Sequence, residues 1–180
     1  MTANSTSPVA VIGAGIMGSA IASRLLETGH DVYSFDLDPD KVAALVAKGA
    51  KAADSVAQAV SRTQFCILSL NHANIVRAAV FGPAGVAIAA TDKKLLIDMS
   101  SIDPADTAEM AARLQAETGM AWVDCPLSGG APGALEGRLT IMAGGTVEDF
   151  ERARPVMRHL AANYTLMGPS GAGQTVKLIN

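Results

Sequence analysis

The chain is short of charge, aromatic residues and cysteine, and each shortage excludes something. Charged residues make up 17% of its 180 positions and the net charge is −3. The 14 lysines and arginines are scattered, with no basic run or stripe. That excludes the electrostatic footprint of a nucleic-acid binder or of a protein held on an anionic membrane. Only two cysteines occur, Cys66 and Cys125, each in an apolar run, and there is no CxxC pair. They read as buried thiols of a reducing compartment, not as a disulfide framework. His30, His72 and His159 are far apart in sequence, so no metal-ligand grouping is expected. No apolar run reaches the ~20 residues that span a bilayer. The segment VAVIGAGIMGSAIASRLL comes nearest to a signal-peptide core, but glycines break it and the MTANSTSP before it carries no basic residue. These absences predict a soluble, cytoplasmic protein with no membrane, nucleic-acid or metal partner. What is abundant is apolar: 49% of residues are hydrophobic, too many for a disordered chain and enough for one well-buried domain.

Apolar runs of strand length alternate with segments of helical period. Strands are expected at 8–13, 31–36, 64–70, 94–100, 120–126, 139–144 and 164–168, after a loose tail over residues 1–7. The first four runs are apolar almost throughout, as in strands covered on both faces. Helices are expected at 16–28, from Pro39 to near Gly49, from Asp54-Ser55 onward, from Asp103-Pro104 to Gly119, and over 147–161. Pro at a first helical position after Asp, and the capping-box spacing of Thr146 and Asp149, mark three of the starts. This βαβα order predicts an α/β, Rossmann-like, doubly wound and mostly parallel sheet with helices on both faces.

VIGAGIMG places Gly13, Gly15 and Gly18 in the GxGxxG pattern. The first glycine turns the chain off the strand, the second lets backbone approach a pyrophosphate, and the third lets the helix pack closely. Free N–H groups at the helix start, around Ile16 and Met17, suit phosphate oxygens. Asp36 follows Gly18 by 18 residues, at the end of the second strand, where a carboxylate can accept bonds from a ribose diol. It would repel a 2′-phosphate, and no arginine follows, so NAD is favoured over NADP. Asp38 can cap the DLDPD turn, which leaves Asp36 free.

These residues resemble the β-hydroxyacid dehydrogenases, a group that includes 3-hydroxyisobutyrate dehydrogenase, tartronate semialdehyde reductase and the threonate dehydrogenases and, more distantly, 6-phosphogluconate dehydrogenase. The stretch from Gly13 to Ala50, then FGPAGV (81–86), IDMSSIDP (97–104), VDCPLSGGAPGALEGRLTIMAGG (123–145) and GPSGAGQTVKLIN (168–180), are similar to family blocks in the family's order. The resemblance implies that Leu70 and Asn71 line the adenosine side, though many members have proline at the position of Asn71. It implies that Ser101 lies near the nicotinamide, that Ser128, Gly129 and Gly130 bind a substrate carboxylate, that Asn180 lies near the substrate, and that Lys177 is the catalytic lysine. It also implies a homo-oligomeric parent protein.

The chemistry agrees with these assignments. Consecutive N–H groups of a Ser-Gly-Gly turn can converge on an anion. An ammonium can give a proton to a developing alkoxide, and burial favours the neutral amine that a base requires. Val176, Leu178 and Ile179 are expected to surround Lys177 with apolar groups. The related imine reductases usually carry aspartate or tyrosine at that position, so lysine points to a hydroxy acid. Cys125 lies beside the expected carboxylate site but has no partner base and is assigned to packing. A second reading is a dinucleotide-binding module without catalysis.

Residues 169–180 read as the start of an interdomain helix with no stop signal after Asn180. The chain is therefore expected to be about three-fifths of a family member, lacking an all-helical C-terminal domain. The isolated chain is expected to bind NAD weakly and to turn over slowly or not at all.

Overall fold

A computed structural model describes residues 6–180. Of the expected loose tail, residues 1–5 lie outside the described residues, and the Thr6 hydroxyl donates to the Gly29 carbonyl. Among the described residues nine strands form one sheet: β1 (Val9–Ile12), β2 (Val32–Phe35), β3 (Lys51–Ala52), β4 (Phe65–Leu68), β5 (Leu95–Asp98), β6 (Ala121–Asp124), β7 (Leu127–Ser128), β8 (Leu139–Gly144) and β9 (Ala161–Gly168). The helices are α1 (Ile16–Glu27), α2 (Pro39–Val46), α3 (Val56–Ser61), α4 (Ala73–Phe81), α5 (Val86–Ala89), α6 (Pro104–Thr118), α7 (Gly130–Leu135), α8 (Val147–Leu160) and α9 (Ala172–Ile179).

The strand order is β3-β2-β1-β4-β5-β6-β8-β7, with β9 also paired to β8. From β3 to β6 every pairing is parallel. β1, β4, β5 and β6 are buried along their whole length because helices cover both faces. Alternate side chains serve alternate faces. Val9, Val11, Ile67, Ile97 and Val123 join a core with Ile21 and Leu25 of α1 and with α8. Ala10, Ile12, Cys66, Leu68, Leu96 and Trp122 join the opposite core with Met110 and Leu114 of α6.

The expected regular alternation breaks after β6. β7 follows it with no helix between, and β8 runs antiparallel to both. Register fixes the consequence: Asp124 at the end of β6 faces Gly144 at the end of β8. The first half of β8 therefore projects past the carboxyl edge of the parallel strands, and Ser128 pairs there with Thr140. Helices α4, α5 and α7 and strands β3 and β7 were not expected. α4 starts at His72 without a side-chain cap, and α7 (GAPGAL) carries two glycines and a proline. β3 and β7 are two residues each, too short for a period to show. β9 begins at Ala161, three residues before the expected start, directly after α8. Its burial alternates and it carries polar residues, so its first half lacks the apolar signature of the central strands.

Candidate functional site

The loop after β1 is shaped by its glycines. Gly13 has φ +95°, and a Cβ there would lie 2.3 Å from the Ser69 carbonyl oxygen. A Cβ on Gly18 would lie 1.8 Å from the Gly13 carbonyl oxygen, so no side chain fits where α1 crosses its own approach loop. Gly15 differs: a Cβ there meets nothing within 4 Å. The protein's own packing thus requires glycine at 13 and 18 but leaves open space in front of 15. Gly15 is also the N-cap of α1, and no side chain caps it. The first-turn N–H groups, which have no intrahelical acceptor, open on that space beside the exposed Ile16 and half-buried Met17. Room, unpartnered donors and the positive end of a helix fit a pyrophosphate.

Asp36 stands at the end of β2 beside this loop. Its Oδ2 accepts the Ala14 N–H at 2.7 Å and its Oδ1 the Asp38 N–H at 2.9 Å. This corrects the expectation of a free Asp36. Asp38 does cap α2, accepting the Asp40 N–H at 3.1 Å, but Asp36 closes the 36–38 turn as well and ties it to the glycine loop. Each carboxylate oxygen retains a lone pair for a ribose hydroxyl. The first cation after it, Lys41, is paired with Asp38 at 3.9 Å.

Further along the same edge, Leu70 is half-buried and Asn71 exposed just past β4. Past β5, Ser101 is exposed, while its neighbour Ser100 is buried and structural. The Leu70 N–H donates to the Ser100 hydroxyl at 3.0 Å, and the Ser100 N–H donates to Asp98 Oδ1 at 3.0 Å. Ser128 is half-buried in β7, and Gly129 (φ +121°) and Gly130 (φ +63°) are exposed in the left-handed region. They form the turn into α7 above the carboxyl edge of the parallel strands.

α9 carries Lys177, half-buried and without a hydrogen bond or ion pair among the described residues. The expected apolar surround is not there. Leu178 and Ile179 are 71% and 83% exposed, because α9 lays its other face on β8 and β9. Asn180 is exposed beyond them. What fixes α9 is its first turn. Gly171, the N-cap, has φ +90° and no side chain of its own to cap with. Asp124, at the end of β6, supplies the acceptors: the Gly171 N–H donates to Oδ1 at 2.8 Å and the Gln174 N–H to Oδ2 at 3.1 Å. Gln174, 1% exposed, donates from Nε2 to the Ser100 carbonyl at 2.8 Å and accepts the Ile102 N–H at 3.3 Å.

Two fully buried carboxylates therefore sit side by side, since Asp98 and Asp124 are register neighbours across β5 and β6. Burial raises both above the ordinary carboxylate range. For Asp124 the backbone N–H groups of α9's first turn oppose the rise. Asp98, pushed up to about 7, holds only Ser100, and its Oδ2 has no partner. The two acids thus differ in their partners: Asp124 accepts backbone N–H groups of α9, while Asp98 has one N–H and, among the described residues, a free oxygen. Nothing in the sequence period singled out Asp98, Ser100, Asp124 or Gln174. The available signal was an acid closing each of two neighbouring apolar runs, in IDMS and VDCP. Cys125 is wholly buried and desolvation raises its thiol well above the ordinary value, in keeping with packing.

No three His, Cys, Asp or Glu side chains are grouped to hold a metal among the described residues. Nor is any described helix long and apolar enough to cross a membrane.

Comparison with known proteins places this geometry. Residues 8–168 match the family model described as the NAD binding domain of 6-phosphogluconate dehydrogenase. The chain is 40% identical over 172 residues to the 2-(hydroxymethyl)glutarate dehydrogenase of Eubacterium barkeri and, over the same length, to the 3-hydroxyisobutyrate dehydrogenase of Pseudomonas aeruginosa. In each case 96% of this chain and 57% of the relative are covered. The structure of Mycobacterium tuberculosis 3-hydroxyisobutyrate dehydrogenase with L-serine superposes with a TM-score of 0.91 at 32% identity, covering 97% of this chain and 59% of that one. The chain thus spans less than two thirds of the length of the relatives it matches. A glycine loop with room at Gly15, an acid closing β2 and a match from β1 to the end of β9 have one common source: the chain belongs to the family of the NAD-binding domain of 6-phosphogluconate dehydrogenase.

Proposed function

We propose that this chain is the NAD-binding part of an enzyme that oxidises a small β-hydroxy acid, or reduces the matching carbonyl compound, and that it carries the lysine that handles the proton. The observation that carries the reading is a shared scaffold. β6 and β8 support both the Ser128–Gly130 turn and the first turn of the Lys177 helix, at the carboxyl edge that also bears the glycine loop. Open α/β sheets bind their ligands at that edge.

In this reading the N–H groups of Gly15, Ile16 and Met17 face the pyrophosphate, and Asp36 takes the adenosine ribose. Gly13 and Gly18 keep the loop closed behind them. Leu70 and Asn71 lie on the adenosine side, and Ser101 beside the nicotinamide. NAD, when bound, supplies hydride acceptance at the carbinol carbon. The remaining work belongs to this chain. The Ser128 hydroxyl and the N–H groups of Gly129 and Gly130 hold the substrate carboxylate, which fixes the carbinol carbon. The Lys177 amine takes the hydroxyl proton during oxidation and returns it to the carbonyl oxygen in reduction. Asn180 orients the same oxygen. The substrate class is a small carboxylate bearing a β-hydroxyl, as in 3-hydroxyisobutyrate, glycerate or threonate. A homo-oligomeric parent protein of the cytoplasm fits this reading.

Two measurements test it. NADH should bind to the purified chain, and Gly15→Val should abolish that binding while the fold persists. In the full-length enzyme, Lys177→Ala should lower kcat for a β-hydroxy acid by about 10²–10⁴-fold, the range of general acid–base catalysis. Absence of NADH binding, or unchanged kcat in Lys177→Ala, would overturn it.

A further inference from the structure

The helix that carries Lys177 has an unusual start. It cannot cap itself, because its N-cap is Gly171 and Gly173 follows. Its first-turn donors are satisfied instead by a carboxylate from another element, 47 and 50 residues earlier in the chain. The seat for that carboxylate is shaped on every side. A Cβ on Gly144 of β8 would lie 2.5 Å from Asp124 Oδ1, and a Cβ on Gly173 would lie 2.8 Å from Oδ2 and 2.3 Å from the Met142 carbonyl. A Cβ on Gly171 would lie 2.7 Å from the Pro104 carbonyl. Three glycines from β8 and α9 thus clear the space in which Asp124 meets the helix.

Gln174 provides a second tie, on the next residue but two. Its amide bridges the Ser100 carbonyl and the Ile102 N–H, so α9 is fastened to the loop after β5 as well as to β6. Ser100 carries the connection onward, because its hydroxyl accepts the Leu70 N–H at the end of β4. From the β4 edge to the lysine helix there is one unbroken chain of hydrogen bonds. Lys177 lies one turn beyond Gln174 and makes no polar contact of its own among the described residues.

We propose that Asp124 and Gln174 are positioning residues for Lys177: they set the height and rotation of α9 over β8, and so aim the amine at the edge where the Ser128–Gly130 turn lies. A lysine on an undocked helix would retain its chemistry but lose the alignment that proton transfer needs. The proposal rests on the reading of Lys177 given under Proposed function.

The test compares Asp124→Asn, Gln174→Leu and Gly173→Ala. Asn keeps one acceptor of the pair, Leu removes both side-chain bonds of Gln174 at similar volume, and Ala at 173 crowds the same joint without removing a polar group. In the purified chain, amide hydrogen exchange over 175–179 is expected to rise at least tenfold in all three. Exchange in β1, β4 and β5, and the NADH Kd, should stay within about twofold. In the full-length enzyme, kcat for a β-hydroxy acid is expected to fall at least thirtyfold with KM within threefold. Asp124→Asn should be the mildest of the three. Gln174→Glu, which keeps the acceptor for Ile102, should recover part of the loss and guards against a variant that does not fold. Wild-type exchange and wild-type kcat in Gln174→Leu and Gly173→Ala, with Lys177→Ala inactive, would overturn the positioning role alone. Full activity in Lys177→Ala would overturn the lysine reading and the positioning role with it.

Discussion

At the residue scale the glycine loop and the buried acids make opposite demands. Gly18→Ala should destabilise the fold by several kcal/mol, since its Cβ would fall 1.8 Å from the Gly13 oxygen and the loop would have to move. Gly15→Ala should leave the melting temperature within about 2 °C of wild type, because its Cβ meets no protein atom, and should weaken NADH binding about tenfold. Calorimetry and titration of the two variants check this directly. Asp98 gives a pH prediction. Its acid form persists in the folded state up to about 7, above the range of an unfolded Asp. The folded state therefore binds this proton more tightly than the unfolded one, so the contribution of Asp98 to stability is greatest below pH ~4, declines as pH rises toward 7, and is flat above. Over that window the loss is on the order of 2–4 kcal/mol at ~1.4 kcal/mol per pH unit. Asp98→Asn keeps an acceptor for the Ser100 N–H and cannot ionise, so it should flatten the slope and be the more stable protein at pH 8. Urea denaturation from pH 4 to 9 would show it, and parallel slopes in the two proteins would refute it. The fingerprint glycines and Asp36 could be read from spacing, since each answers to a local rule. Asp124 and Gln174 could not, because their partners lie 47 to 74 residues away, and Asp98 could not, because what marks it is burial beside Asp124 of the neighbouring strand.

At the element scale, what the sequence announced were elements with a cap or a period of their own. α2, α6 and α8 begin where Asp38, Asp103 and Thr146 accept an N–H two or three residues on. Thr146→Ala removes the acceptor for the Asp149 N–H and the hydroxyl's bond to the Asp149 carboxylate. It should cost about 1 kcal/mol, a fall of about 2–4 °C in melting temperature for a chain of this size. A loss under 0.3 kcal/mol would show that Arg152, paired with Asp149 at 2.9 Å, holds the helix start unaided. Elements defined by their neighbours stayed hidden. β3 and β7 exist because β2 and β8 offer them an edge. α7 forms from two glycines and a proline because Gly129 and Gly133 lie against Leu139. The lysine helix was legible as a helix, but its docking was not, and two of the three apolar residues expected to enclose Lys177, Leu178 and Ile179, stand exposed to solvent.

At the scale of the whole molecule, the two halves of the site rest on different amounts of structure. The cofactor edge is backed on both faces by continuous cores, from α1 and α8 on one side and α3 to α6 on the other. Its loop is fixed by Gly13, Gly18 and the Asp36 carboxylate without any help from a ligand. A site formed in advance spends little of its binding energy on ordering. NADH at 100 times its Kd should then stabilise the chain by about 2.7 kcal/mol through linkage, a rise of about 5–10 °C in melting temperature at this size. The lysine end is different. α9 is covered by β8, β9 and α6 on one side only, and Leu178 and Ile179 stand open to solvent on the other. Nothing among the described residues closes over that side, so no wall holds a substrate against the half-buried amine or keeps water out. For the purified 180-residue chain, the NADH-dependent rise in melting temperature should therefore appear with turnover of β-hydroxy acids near the limit of detection. Substituting Leu178 and Ile179 by serine should leave the NADH shift unchanged, since neither residue lies on the cofactor edge. A chain that shows the thermal shift and also turns over at tens per second would mean that proton transfer tolerates a site open on one side. A chain with no shift does not bind NADH, and the cofactor reading falls with it. Because the two observables read opposite ends of the same sheet edge, one sample measured both ways separates these failures.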